Sequence, residues 1–570
     1  MLNSRLYLQA WLVAFVALIV AFLTLQPPVE PLPTDEPVTF NASEAAKGSA
    51  ALAAAAPLRV SGTPGGEVAA AWVEDQFRNL PGGERLVATQ TMSARVDAQA
   101  IGLRNVFFTL PADAITRSPR NILIVAPRDA PRGVTAGTSN TAILVELART
   151  LSQRTNRRHT MIFLSTDGSS LGNAGLRWYL SQAERSLVAG AIVLDAQGDG
   201  PAGELHIWSR GAGRQALALR GLAEQAIAQA GFRADPLPPL REQLLRLAVP
   251  ETRGDQRAAI DKAIPAVTLA GRDEGMLSPG LPEADRDRMD AIGTAALALT
   301  ALLDDRERAN VPDASLAYAG KTLRPSVGRV ALLLLALPLL VMALDAAARV
   351  RRARVRLSSG LRAVGWRFVP PLLVLLVAHA LAMTGLLRGP DVGRPPAPRD
   401  LPFGRIEALT VVGLVLLSVV SWWFVKPRVA RTGAQPPEEA AGALVWLALI
   451  TLLAWWLAPF ALVLILPAAH AALAATVVEH RWQVAALGAV ALAVPAAVVV
   501  TTAADIDRNP LYAVWYLSET SASGARGMLG PILAVLVGVC VVALGTLVTF
   551  RARKGLVRGR SRYTRRTAPE

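Results

Sequence analysis

The chain has 570 residues, of which 52% are hydrophobic and only one is cysteine, and its formal net charge is +15. It is too long for one ordinary domain and more hydrophobic than soluble domains usually are, so at least two structural units are expected, one of them in a membrane. A single cysteine excludes both an intramolecular disulfide framework and a cysteine-based zinc module.

The basic excess is confined to the C-terminal half. Residues 27–326 carry 32 Lys and Arg against 33 Asp and Glu, whereas residues 327–570 carry 26 against 11. A nucleic-acid-binding domain would concentrate bases in its polar folded part, but here they flank apolar stretches, as in cytoplasmic loops of membrane proteins. The sequence therefore predicts no nucleic-acid partner and a membrane-lipid partner for the basic tail 551–570.

The chain begins with an apolar run over 6–25, long enough to cross ~30 Å of hydrocarbon. No small-residue cleavage site follows, since the sequence continues into QPPVEPLP. The pattern predicts a signal-anchor helix within 1–26 and a proline-rich spacer over 27–42.

Short, apolar, β-rich segments alternate with helical patterns across 43–326. The predicted strands are 105–110, 121–127, 160–165, 190–195, 204–209 and 266–271, and the predicted helices are 66–77, 141–153, 174–185 and 216–229. Such alternation is typical of an α/β domain with a mostly parallel sheet flanked by helices. Ligands of these sheets bind beyond the carboxyl ends of the strands, which here are the loops 127–133, 166–175 and 195–200.

Seven further apolar runs predict an all-α membrane domain over 327–550. They lie at 328–346, 366–387, 408–425, 442–458, 459–478, 483–503 and 528–550. Loops 346–367 and 426–441, Arg481 and the tail hold 19 of the 26 bases in this half, which places them in the cytoplasm. We therefore expect a multi-pass protein of the cell membrane with both termini cytoplasmic and 43–326 extracytoplasmic. The Arg-rich, Ala-rich composition favours a bacterial source.

The order of landmarks in the polar half resembles the zinc aminopeptidases of peptidase family M-twenty-eight. The landmarks are ILIVAPRD, GVTAGTSNTAILVELART, MIFLSTDGSSLGNAGLRWYL, GAIVLDAQGD and IPAVTLAG, within roughly 43–303. The resemblance implies a zinc-aminopeptidase-like fold, with two zinc ions held by His, Asp and Glu side chains and a further Glu as general base.

Most positions that the resemblance assigns to zinc ligands hold residues unable to bind zinc. The first histidine corresponds to Pro127, the bridging aspartate to about Ala136, and the paired glutamates to Ser169 and Ser170, while Asp195 is kept. Asp129 is also kept, and no histidine follows Ala266 within the domain. One remaining carboxylate ligand cannot hold a divalent ion against water, and serine hydroxyls are poor ligands and poor bases at neutral pH. We therefore expect no catalytic residue, no metal and no cofactor.

The residues that remain at this position form a vestigial cleft. Its polar groups are expected to be Arg128, Asp129, Asp167, Asp195 and Asp199, beside Pro127, Ala136, Ser169 and Ser170. Asp129 and Asp195 are equally well explained as caps of loop amides.

An inactive peptidase-like domain tethered by membrane spans predicts a binding or scaffold module for a peptide, a lipid-linked substrate or a partner protein. This plan resembles the attachment subunit of the GPI transamidase. Two alternatives stay open: a divergent membrane-bound metallopeptidase or other hydrolase, and a permease with an external sensing domain.

Overall fold

The computed structural model describes residues 3–25, 39–96, 99–115, 117–130, 134–135, 137–198, 201–209, 216–248, 254–274, 283–305, 316–318, 321–354, 356–383, 403–475, 480–506, 508–522 and 538. The chain divides into two compact units. The α/β unit comprises 26–246 and 250–325, and the helical unit comprises 1–25, 247–249 and 326–570.

The strands and helices follow one another along the whole described chain. The strands are β1 (Val87–Val96), β2 (Gln99–Leu110), β3 (Asn121–Pro127), β4 (Thr160–Thr166), β5 (Val188–Asp195), β6 (Glu204–Trp208), β7 (Arg233–Ala234), β8 (Ala266–Ala270), β9 (Leu316–Tyr318) and β10 (Lys321–Leu323). The helices are α1 (Ser4–Leu23), α2 (Ala42–Ala55), α3 (Pro64–Arg78), α4 (Gly83–Leu86), α5 (Thr138–Ser152), α6 (Ala174–Gln182), α7 (Ala216–Gln229), α8 (Leu240–Ala248), α9 (Gln256–Asp261), α10 (Arg286–Asp304), α11 (Pro325–Arg352), α12 (Leu357–Arg367), α13 (Val369–Met383), α14 (Arg405–Arg431), α15 (Pro436–Leu457), α16 (Leu462–Ala475), α17 (Arg481–Asp505) and α18 (Pro510–Ala522).

The described residues of the α/β unit form an eight-stranded sheet in the order β1-β2-β4-β3-β5-β8-β6-β7. The central strands β4, β3, β5 and β8 run parallel to one another. Strands β1, β2 and β6 add antiparallel pairings on the two sides. The predicted mostly parallel α/β fold is therefore confirmed.

Helices cover both faces of the sheet because the central strands are apolar on both sides. Ile122 and Ile124 of β3 belong to a core with the buried residues of α2, α3, α5, α7 and α10. Leu123 and Val125, the alternate residues of the same strand, pack with α6 and α9. Successive strand residues point to opposite faces, so one continuous apolar run supplies both cores.

The register brings the carboxyl ends of the central strands to one edge, called here the carboxyl edge. Pro127 of β3 lies opposite Thr166 of β4, and Asp195 of β5 lies opposite Ala270 of β8. The loops that follow these four residues consequently meet at this edge.

The helical unit contains long apolar helices. In the described residues, six helical segments are long and apolar enough to cross a membrane: 5–23, 325–352, 357–382, 405–431, 437–457 and 482–504. They contain the runs predicted at 328–346, 408–425 and 483–503, and most of those predicted at 6–25, 366–387 and 442–458. Large side chains on their outer faces, such as Leu409 (70% exposed) and Val419 (61%), fit contact with lipid.

Two predicted runs differ from this set. The run at 459–478 gives α16, which is a shorter apolar helix, and the run at 528–550 lies outside the described residues. The basic segment 346–367, predicted as a loop, is mostly helical, because α11 continues to Arg352 and α12 begins at Leu357. Arginine is a good helix former, so a basic loop and a basic helix end cannot be told apart from composition.

His470 of α16 contacts other helices of the same unit. Its Nε2 lies 3.3 Å from the carbonyl oxygen of Leu335 in α11, and its ring centroid lies 5.1 Å from that of Trp11 in α1. A hydrogen bond to a neighbouring helix is an ordinary structural role for a polar side chain in an apolar helix.

Candidate functional site

The predicted cleft residues lie together at the carboxyl edge. Pro127 ends β3, Arg128 and Asp129 follow it, Asp167, Ser169 and Ser170 follow β4, and Asp195 ends β5. Ala136 and Asp199 lie outside the described residues. The topology thus collects side chains from three strands, as expected for a sheet of this kind.

Arg128 and Asp167 form a buried ion pair. Their side chains are 1% and 3% exposed, and Arg128 Nη2 lies 3.3 Å from Asp167 Oδ2. Arg128 Nη1 also donates to the carbonyl oxygen of Ser165, at 3.1 Å, and Nη2 donates to that of Arg104. Burial lowers the pKa of the Arg128 guanidinium, while Asp167 opposes that shift. The pair thus ties the loop after β3 to the loop after β4 and to β2.

Asp167 has little capacity left for a ligand. Its Oδ1 accepts from Ser61 Oγ at 2.7 Å and from Gly168 N at 2.8 Å, and its Oδ2 accepts from Arg104 N at 3.2 Å as well as from Arg128. Both oxygens therefore serve the fold.

Asp129 holds the turn that follows β4. Its Oδ1 accepts from Ser169 N at 2.8 Å, and its Oδ2 accepts from Ser170 N at 3.0 Å and from Ser170 Oγ at 2.8 Å. Burial, and then the charge of Asp167, raise the pKa of Asp129 against the opposing effect of these bonds. Of the two readings of Asp129, the cap of loop amides matches this geometry.

The serines have no histidine partner in the described residues. Ser169 Oγ donates to Asp255, at 2.8 Å from Oδ1. His159 is 1% exposed, and its Nδ1 lies 3.3 Å from Asp304 Oδ1. A serine nucleophile needs a base to take its proton, and a carboxylate that accepts its hydrogen bond is a weak substitute at neutral pH.

Asp195 is paired with an arginine that sequence reasoning missed. Arg272, two residues after β8, places Nη2 at 2.9 Å and Nε at 3.3 Å from Asp195 Oδ2. The guanidinium also lies over the ring of Trp208, 5.1 Å from its centroid, and Trp208 Nε1 donates to the Arg272 carbonyl oxygen at 2.7 Å. The only sequence signal for Arg272 is its position directly after a predicted strand at the same edge.

A second residue that sequence reasoning missed is Glu283, whose carboxylate lies against the N-terminus of α5. Its carboxylate accepts from the backbone N–H groups of Gly137 at 2.7 Å, Ser139 at 2.7 Å and Thr138 at 3.2 Å. A helix N-terminus attracts negative charge because its first N–H groups lack helical partners. Glu283 satisfies that end from a segment about 145 residues away in sequence.

Arg59 supports the same region from the loop after α2. It is fully buried, and it donates to the carbonyl oxygens of Ala56, Arg128 and Thr135 at 3.0, 3.1 and 3.0 Å. Burial lowers the pKa of Arg59, and the charges of Glu283 and Asp129 oppose this shift. The carboxyl edge therefore contains several buried or half-buried guanidinium groups beside its carboxylates.

The donor set does not fit the zinc pair that the family resemblance implies. Within the described residues, no group of three or more His, Cys, Asp or Glu side chains could hold a metal ion. Asp195, the one position where the resemblance implies a kept ligand, contacts a guanidinium whose charge would repel a cation at close range. Chemically, this edge can bind and orient polar groups, and its described carboxylates already accept hydrogen bonds from protein partners.

Comparison with known proteins finds similarity in solved structures alone. No family model matches the sequence, and no curated protein matches it. A glutaminyl cyclase from an Acidobacteriales bacterium is 17% identical, with 49% of this chain and 100% of that chain covered and a TM-score of 0.37. A zinc aminopeptidase from Bacillus subtilis is 12% identical, with 49% and 98% covered and a TM-score of 0.38. The LapA aminopeptidase of Legionella pneumophila is 14% identical, with 49% and 79% covered and a TM-score of 0.38. At these values the similarities carry no argument about activity, and the fold described above rests on its own sheet order.

Proposed function

We propose that the α/β unit is a non-catalytic binding module of a multi-pass membrane protein. The observation that carries this proposal is that Asp129, Asp167 and Asp195 are all held by partners within the fold, Asp195 by Arg272. A metallopeptidase needs carboxylates that are free to bind its metal, and here the protein itself fills that role with N–H groups and guanidinium groups.

The occupant that we propose for the carboxyl edge is a peptide, a lipid-linked substrate or a partner protein. A carboxyl edge of a mostly parallel sheet is a normal binding surface. The same chain has six described helical segments that are long and apolar enough to cross a membrane. The proposal extends to location. Residues 1–26 are the membrane anchor, 27–42 are the spacer, and 43–326 lie outside the cytoplasm. Residues 327–550 form the membrane domain, and the tail 551–570 lies at the cytoplasmic face. The proposed plan resembles that of the GPI-transamidase attachment subunit, and its substrate is not transferred to this chain.

The metal test uses the purified full-length protein. We expect its zinc content, measured by inductively coupled plasma mass spectrometry, to lie far below one ion per chain in the wild type and in Asp195→Ala. Asp261→Ala is the matched control, because Asp261 forms an exposed pair with Arg177. Stoichiometric zinc that is lost in Asp195→Ala and kept in the control would overturn the proposal in favour of the hydrolase alternative.

The binding test uses crosslinking and co-purification from native membranes. Leu171→Arg adds a charged side chain to the loop after β4 at the carboxyl edge, whereas Leu187→Arg adds the same side chain immediately before β5, at the opposite edge. We expect a specific partner that is lost in Leu171→Arg and retained in Leu187→Arg. Equal retention in both variants, or no associated molecule at all, would refute binding at the carboxyl edge.

A further inference from the structure

The helix α18 packs one face against the rest of the helical unit. It contacts α17 and α13, and its residues Ala513 and Tyr516 form a buried cluster with Ala503 and Ile506. The opposite face is exposed, with Leu511 84% accessible. One face of α18 is therefore buried and the other exposed, and a buried helix face is expected to be apolar.

Glu519 breaks this pattern. It is 2% exposed, and neither of its carboxylate oxygens has a hydrogen-bond partner in the described part of the chain. One turn earlier, Trp515 is 6% exposed with its indole Nε1 also unpartnered there, and its ring lies 5.7 Å from that of Phe403, just before α14. Buried carboxylates are normally paired, so this one requires an explanation.

The described charges around Glu519 offer no compensation. Glu407 in the first turn of α14 is the one titratable group among the described residues that acts on it, and it has the same sign. Neither His379, the one titratable residue of α13, nor a described charge of α17 shifts the pKa of Glu519. The rings of Tyr512 and Tyr516 of α18 stack on each other. Burial, followed by the charge of Glu407, raises the pKa of Glu519 to about 7.

We propose that Glu519 is a reversible proton-binding site, and that its ionisation loosens the packing of α18 on α13 and on the start of α14. The protonated acid is neutral and can stay in the apolar contact. When the proton leaves for water, the carboxylate has neither a cation nor a donor among the described residues, a state that is strongly disfavoured away from solvent. The carboxylate regains hydration only if α18 moves, so proton binding and helix position are coupled. This site is independent of the function proposed for the α/β unit.

The direct test measures protonation by infrared difference spectroscopy on the full-length protein in lipid nanodiscs. The carbonyl stretch of a protonated carboxylic acid is resolved from that of a carboxylate, and Glu519→Gln removes the contribution of this residue. We expect a band that disappears with a midpoint near pH 7 in the wild type and is absent from Glu519→Gln. A difference band with its midpoint near the ordinary value for glutamate, or no difference band, would refute the site.

The matched control is Glu407→Gln, which removes the neighbouring charge and keeps an oxygen that can accept the N–H of Gly404, 2.8 Å from the glutamate in the wild type. Because Glu407 raises the pKa of Glu519, we expect the midpoint to fall in this variant. An unchanged midpoint would exclude this charge as a cause.

The coupling to helix position is tested by hydrogen exchange of the α18 amides, corrected for the intrinsic pH dependence. We expect the protection factors of 513–520 to fall at least tenfold between pH 5.5 and 8.5 in the wild type and to stay constant in Glu519→Gln, which mimics the neutral acid. This measurement also works on the wild type alone if the variant does not fold. Constant protection in the wild type would overturn the coupling.

Discussion

The ion pair between Arg128 and Asp167 makes a sharp prediction about Asp167→Asn. The carboxylate accepts four hydrogen bonds, two on each oxygen, and one of them comes from the guanidinium at 3.3 Å. An amide has one oxygen and an NH₂ group, so two donors lose their acceptor and the buried Arg128 loses the carboxylate of its ion pair.

The expected loss follows from burial. Removing one partner of a buried ion pair costs about 3–5 kcal/mol, because the other charge stays out of water. For a domain of this size that corresponds to a fall in melting temperature of about 6–20 °C. The matched control is Asp261→Asn, whose carboxylate, 45% exposed, pairs with Arg177 at 2.9 Å. An exposed pair contributes less than about 1 kcal/mol, so this variant should lose little.

The assay is proteolysis of the full-length protein across a urea gradient, with cleavage of the α/β unit as the readout. A fall in the free energy of unfolding that is several times larger for Asp167→Asn than for Asp261→Asn supports the structural role of Asp167. Equal losses in the two variants would refute the reasoning, since they would mean that Asp167 is hydrated or unpaired in solution.

Three further predictions follow from single contacts. Glu283→Gln removes the charge at the N-terminus of α5 and should reduce the free energy of unfolding of the α/β unit by about 1 kcal/mol, measured by the same proteolysis; no change would mean that water replaces it. Gly360→Ala would place a Cβ 1.9 Å from the carbonyl oxygen of Glu438 in α15, so thermal unfolding in detergent should show a loss of about 1–3 kcal/mol, whereas Gly413→Ala, with open space, should be neutral or slightly stabilising. Glu519 has a folded pKa above its unfolded value of 4.5, so its contribution to stability is complete below pH 4.5 and is lost as the pH rises through about 7, by at most about 3 kcal/mol; Glu519→Gln should abolish this slope, and a slope that persists would contradict the assignment.

Much of the sheet could be predicted because its central strands are short, continuous apolar runs. All six predicted strands are present, and β3 has the predicted bounds 121–127. The strand β1 was missed, since VATQTMSARV has no apolar alternation and lies at the sheet edge, where pairing with β2 stabilises it. Within the predicted helix 66–77, Val68 is 46% exposed and the neighbouring Ala69 and Ala70 are fully buried.

The candidate site could be predicted in position but only partly in composition. The ends of β3, β4 and β5 place Asp129, Asp167 and Asp195 at one edge, as the alternation of strands and helices requires. The partners that define their roles, Arg272 for Asp195 and Ser61 for Asp167, come from segments 77 and 106 residues away. Nothing in local sequence indicates which distant arginine or serine reaches a given carboxylate.

The sequence by itself determined the two kinds of unit and the carboxyl edge of the sheet, because hydrophobic periodicity is a local property. Only the tertiary structure decided which charges are neutralised and which are not: Asp195 meets a guanidinium, whereas Glu519 is buried with neither a cation nor a donor among the described residues. The physical reason is that the energy of a buried charge depends on groups that the chain brings together from far apart, and a linear pattern does not record those distances.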